Sequence, residues 1–164
     1  MKQKLVSVFS MGVFVLVFAV APSPAQNVGI QASSQMSAVG IGQGLIGLKI
    51  DQGSFAITPR FGFGLDDREY SDTLVVMTMG SGFDYYMSEA NLKPYVGGDF
   101  YMHVVDADDT DVGISLIPHL GAEYWLNEKM SLGGNIGFQF GLGDIGASEF
   151  RMGTTAVIHL THYF

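Results

Sequence analysis

The chain has 164 residues, 16 acidic against 8 basic, 22 glycines and no cysteine, with a formal charge of −8 and 48% hydrophobic residues. That length suits one domain better than two. The acidic balance excludes a nucleic-acid binder, which needs a concentrated basic face. Absence of cysteine excludes a disulfide scaffold, a thiolate zinc site and a cysteine nucleophile, yet suits an oxidising compartment.

At the amino terminus, Lys2 and Lys4 precede an apolar run from Leu5 to Ala21, followed by Pro22-Ser23-Pro24-Ala25. A positive start, an apolar middle and small residues at Ser23 and Ala25 predict a cleavable signal peptide over residues 1–25, cut before Gln26. The run is short for a membrane anchor, which needs roughly 20 apolar residues. The remainder, residues 26–164, is read as one domain. It keeps six basic residues and all sixteen acids, a formal charge of −10.

From Asn27 onward the periodicity is two, with almost no helical pattern. Predicted strands run from Asn27 to Ser33, Gly40 to Ile50, Ser54 to Leu65, Thr73 to Tyr86, Pro94 to Val105, Val112 to Leu126, Met130 to Leu142 and Arg151 to Phe164. In the seventh, Leu132, Ile136, Phe138 and Phe140 alternate with Ser131, Asn135, Gln139 and glycines. Connections after the second, fourth and sixth strands are brief, whereas those after the first, third, fifth and seventh are longer or more charged. Eight such strands predict an all-β fold: an eight-stranded antiparallel up-and-down transmembrane β-barrel with both termini at the short-turn rim. The phase of the first two strands is the least defined by pattern.

Charge decides which face is inside. The strand-borne ionisable residues Arg60, Asp84, Asp99, Glu123 and Arg151 all fall on the small polar face, so that face is assigned to the lumen and the bulky apolar face to lipid. Aromatics cluster at strand ends, with Phe55, Tyr85, Tyr86, Tyr95, Tyr124, Trp125, Tyr163 and Phe164 near one rim and Phe63, Tyr101 and Phe140 near the other. This is read as the interfacial belts of a membrane protein. Pro59 and Pro118 lie inside strands, where a missing ladder donor predicts a bulge.

The carboxyl terminus reads Ala156-Val157-Ile158-His159-Leu160-Thr161-His162-Tyr163-Phe164, with alternate apolar residues before a final aromatic. It resembles the terminal strand of bacterial outer-membrane barrels. With the signal peptide and Gly121-Ala122-Glu123-Tyr124-Trp125-Leu126, followed by Leu132-Gly133-Gly134, residues 26–164 resemble the small OmpA/OmpX-type and opacity-protein barrels. The resemblance implies outer-membrane localisation, contact with lipid and lipopolysaccharide, and a barrel-assembly machinery that reads Phe164 as its signal. His162 departs from the pattern, which usually places an apolar or aromatic residue there.

Three chemical candidates remain. Asp106, Asp108, Asp109 and Asp111 place four carboxylates in six residues and offer oxygen ligands to Ca²⁺, though without the glycine and glutamate of an EF-hand loop. His103, His119 and His159 face the lumen at different heights, so hydrogen bonding to Asp99 or Glu123 is expected rather than a shared metal. Some barrels of this superfamily modify lipid A with a His and a Ser on a late strand. The nearest match here, His159-Leu160-Thr161, has threonine for serine and lies towards the wrong rim. The resulting expectation is a structural or surface role, envelope integrity or adhesion, in a monomer with no cofactor and no catalysis. A narrow ion channel and a lipid A-modifying enzyme are the alternatives.

Overall fold

A computed structural model describes residues 27–37, 43–66, 74–106, 110–143 and 150–164. Eight strands follow in chain order: β1 (Asn27–Ser37), β2 (Gln43–Asp51), β3 (Phe55–Asp66), β4 (Leu74–Tyr86), β5 (Leu92–Asp106), β6 (Thr110–Asn127), β7 (Met130–Gly143) and β8 (Phe150–Tyr163). Each pairs antiparallel with its sequence neighbours, and β1 closes on β8 from Gly29↔Tyr163 to Ser37↔Thr155, giving a closed barrel. Closure satisfies the backbone groups that an open sheet edge would leave bare. Residues 1–25, the predicted signal peptide, lie outside the described residues, as do 26, 38–42, 67–73, 107–109 and 144–149.

The three short turns, residues 52–54, 87–91 and 128–129, share one rim with Asn27 and Phe164. There Phe164 N–H donates to the Val28 carbonyl at 3.0 Å, and Tyr163 N–H to the Lys129 carbonyl at 2.7 Å. At the opposite rim the β5–β6 hairpin is longer than the alternation predicts. Its ladder continues to Asp106↔Thr110, so only residues 107–109 connect the two strands. With 18 residues, β6 exceeds the roughly 9–11 that a tilted strand needs to cross a bilayer.

Polarity is reversed relative to a soluble domain. Phe61, Ile136 and Phe138 are 48%, 70% and 58% exposed on the outer wall, while Arg60, Asp84, Asp99 and Glu123 are buried inside. Among the described residues, Lys49 and Glu123 have no exposed surface at all. The lumen is not wholly polar, however. Leu45, Tyr101 and Ile117 form one apolar cluster within it, and Ala56, Tyr86 and Tyr95 another.

Two expectations need correction. Tyr86, Tyr95, Tyr101 and Tyr163 are buried in the barrel rather than set in an interfacial belt, whereas Tyr85, Tyr124 and Phe164 do face outward. A period of two sends neighbours such as Tyr85 and Tyr86 to opposite faces, so adjacent aromatics cannot both join a belt. The prolines, in turn, make no bulge. Pairing between β2 and β3 lapses between Gly47↔Arg60 and Ile50↔Ile57, and between β6 and β7 it lapses between Leu116↔Phe140 and His119↔Gly137, with register unchanged in both cases. Pro59 still opposes Ser81 on β4 and Pro118 opposes Gly98 on β5. Each ring therefore weakens one seam without inserting a residue. The register shift that does occur is at the rim, between Trp125 and Asn127.

Candidate functional site in the barrel lumen

Alternation aims every second side chain inward, and the narrow bore of eight strands brings residues from opposite walls into contact. At the short-turn end, Lys49 Nζ on β2 donates to Glu123 Oε2 on β6 at 2.6 Å. The same carboxylate accepts from Tyr86 Oη at 2.5 Å, from Tyr163 Oη at 3.2 Å and from Ser131 Oγ. Four other strands thus converge on one acid. Just outside this layer, Lys93 Nζ lies 3.8 Å from Asp51 Oδ2 and stands over the Tyr86 and Trp125 rings.

The next layer is a directional chain. Gln31 accepts from Arg60 Nε through Oε1 at 3.1 Å and donates from Nε2 to Thr161 Oγ1 at 3.2 Å and His159 Nδ1 at 3.1 Å. Because Nδ1 of His159 accepts, its Nε2 carries the hydrogen directed at Tyr95 Oη, 3.1 Å away, and Tyr95 donates onward to the Gly134 carbonyl at 3.3 Å. His159 and Thr161 therefore meet through Gln31 rather than as a base and a nucleophile. The serine-like role entertained for Thr161 has no such pairing here.

Mid-barrel, Arg60 Nη1 donates to Asp99 Oδ1 at 2.5 Å and to Tyr101 Oη at 2.7 Å. His119 directs Nε2 at Asp84 Oδ1, 2.8 Å away, and Nδ1 at Asp99 Oδ2, 3.5 Å away. Two acids face two basic groups, and the four balance when both imidazole nitrogens carry hydrogen. Towards the other rim lies a group of uncharged polar side chains around His103. His103 lies between Thr78 at 2.9 Å and Ser115 at 3.0 Å, Gln139 donates to Ser115 at 3.0 Å, and Ser37 donates to Gln139 at 2.6 Å.

Glycines supply the room. A Cβ at Gly97 would collide with His119 and Asp84, one at Gly133 with the His159 ring, and one at Gly121 with Tyr95. His119, His159 and Tyr95 thus each lie over a glycine of an adjacent strand, so these strand glycines serve packing.

The five charged residues expected inside divide into separate groups. Arg60, Asp84 and Asp99 share the middle layer with His119, Glu123 belongs to the rim layer, and Arg151 opposes Gly141 near the far rim. The histidines do not behave alike. His119 meets acids, including Asp84, which was not anticipated, while His159 and His103 bond to neutral partners. Of the calcium candidates, Asp108 and Asp109 lie outside the described residues. Asp106 and Asp111 are strand residues that pair with Thr110 and Val105. Among the described residues no group of three or more His, Asp or Glu side chains is placed to hold a metal.

Sequence reasoning did not place Lys49, Asp51, Lys93 or the inward tyrosines in the lumen. The signal was present for some. Tyr86 lies two residues from Asp84 and Tyr101 two from Asp99, so each shares its neighbour's face.

No family model matches the chain, nor does any curated protein sequence. The fold does have relatives among solved structures. Neisserial surface protein A aligns with a TM-score of 0.60 at 14% identity, covering 88% of this chain and all of its own. The N-terminal β-barrel domain of Pseudomonas aeruginosa OprF aligns at 0.55 and 15%, covering 84% of this chain and 97% of its own. A major outer membrane protein from Thermus thermophilus aligns at 0.53 and 11%, covering 85% and 100%. The chain has the fold of these small outer-membrane barrels.

Proposed function

We propose that this protein is a bacterial outer-membrane β-barrel with a structural or surface role, in envelope integrity or adhesion, and without catalysis. The observation that carries the reading is the inverted polarity. A wall of exposed Phe, Ile, Leu and Met encloses a bore crossed by ion pairs and hydrogen bonds, an arrangement that lipid favours and water does not. Bonds such as Lys49–Glu123 and Tyr95–His159 obstruct a wide aqueous path, which favours a filled barrel over a pore. The exposed terminal Phe164 suits recognition by assembly machinery, and the outer wall suits lipid and lipopolysaccharide as neighbours.

The experiment is fractionation of expressing cells, followed by gel migration with and without heating. Recovery in the outer membrane with heat-modifiable migration is expected, and recovery in the soluble periplasm overturns the reading. Planar-bilayer recordings and lipid A mass spectra test its remaining parts. Steady unitary conductance would replace the filled barrel with a channel, and altered lipid A mass on overexpression would replace the structural role with an enzyme.

A further inference from the structure

A pocket of about 430 Å³ opens at the short-turn rim between the β4–β5 and β6–β7 turns, with Glu89, Asn91, Lys93, Trp125, Asn127 and Glu128 in its wall. Backbone bonds fix its shape. Trp125 N–H donates to the Asn91 carbonyl at 2.9 Å, which ties one turn to the other strand pair. Within the turns, Asn127 Oδ1 accepts from Lys129 N–H at 2.8 Å and Ser88 Oγ from Ala90 N–H at 3.1 Å.

The charges in this wall are separated. Lys93 is held on the inner side, its Nζ 5.2 Å from the Trp125 ring centroid and 3.8 Å from Asp51 Oδ2. Glu89 and Glu128 stand exposed on the two turns. An apolar strip continues from the pocket along the outer wall, formed by Leu92 and Tyr124, which are register partners, and by Leu126, all about half exposed.

We propose that this pocket seats a phosphoethanolamine lipid. The ammonium lies between Glu89 and Glu128, the phosphate meets Lys93 and the asparagine amides, and the acyl chains follow the Leu92–Tyr124–Leu126 strip. The assignment rests on the membrane reading above. A wholly anionic headgroup would set its charge against two carboxylates with a single ammonium to offset them. A trimethylammonium headgroup retains the positive charge but has no N–H to donate.

Native mass spectrometry of the intact barrel in mild detergent tests this, with palmitoyl-oleoyl phosphatidylethanolamine, phosphatidylglycerol and phosphatidylcholine supplied at equal concentration. Exposed ion pairs are individually weak, so adducts of the ethanolamine lipid are expected to exceed the others by about three- to fivefold. The E89Q/E128Q variant is expected to bring the ratio close to one. Equal adducts in the wild type, a preference for phosphatidylglycerol, or a preference that survives in the variant overturns the proposal. Insertion into vesicles, read by heat-modifiable migration, is a separate measurement. A barrel that inserts without lipid preference defeats the pocket alone, and one that fails to insert defeats the membrane reading beneath it.

Discussion

Lys49 and Glu123 sit on β2 and β6, which face each other across an eight-stranded ring, and their 2.6 Å ion pair spans the bore with neither side chain exposed. A pair this deeply buried stabilises only while it is complete, because each charge has been removed from water.

Truncating one partner should therefore cost more than removing both. Glu123→Ala is expected to destabilise the barrel by about 3–5 kcal/mol, whereas Lys49→Met combined with Glu123→Leu should recover most of that loss. Urea titration of barrel refolded into vesicles, followed by heat-modifiable migration, measures both. A double variant as unstable as the single would show that the ion pair is not the element that matters.

The middle layer predicts coupling. His119 meets Asp84 and Asp99, so replacing His119 by Gln in an Asp84→Asn background should cost less than in the wild type. The interaction energy from such a double-mutant cycle should fall within about 0.5–3 kcal/mol, and strict additivity would argue that the contact carries no energy.

Space over glycine gives a steric test. Gly133→Ala places a methyl against the His159 ring and should cost about 1–3 kcal/mol, as overpacking does. Gly98→Ala is the control, because the nearest atom to its added Cβ is the Ile117 carbonyl oxygen at 3.8 Å. Equal losses at the two positions would point to a general strand effect of alanine instead.

A charge on the wall separates lipid from water. Ile136 is 70% exposed midway along β7, so Ile136→Arg should lower stability in vesicles by about 2–4 kcal/mol if hydrocarbon surrounds it. A neutral or stabilising effect in the same assay would place that face in water.

Much of this fold can be read from the alternation of residues, because one face had to be greasy along its whole length and the charges chose the other. Asp84, Asp99 and Glu123 follow from that rule. Their partners are harder to read. Which residue across the ring meets Glu123 depends on strand tilt and stagger, and neither leaves a mark within a single strand. Lys49 was further obscured by Gly40-Ile41-Gly42-Gln43-Gly44, which carries no large side chains to set a phase. The tyrosines escape the pattern for a different reason. Clustering at strand ends suggests a belt, yet Tyr86 and Tyr163 satisfy their hydroxyls on an interior carboxylate.

Pro59 and Pro118 interrupt the β2–β3 and β6–β7 seams, and in a ring of eight those two seams lie diametrically opposed. The two gaps in the ladder thus stand on opposite sides of the cylinder, with β3 to β6 on one side and β7 through β8 and β1 to β2 on the other. Where hydrocarbon surrounds the wall, these two gaps are the places at which the ring is expected to deform first under a lateral load.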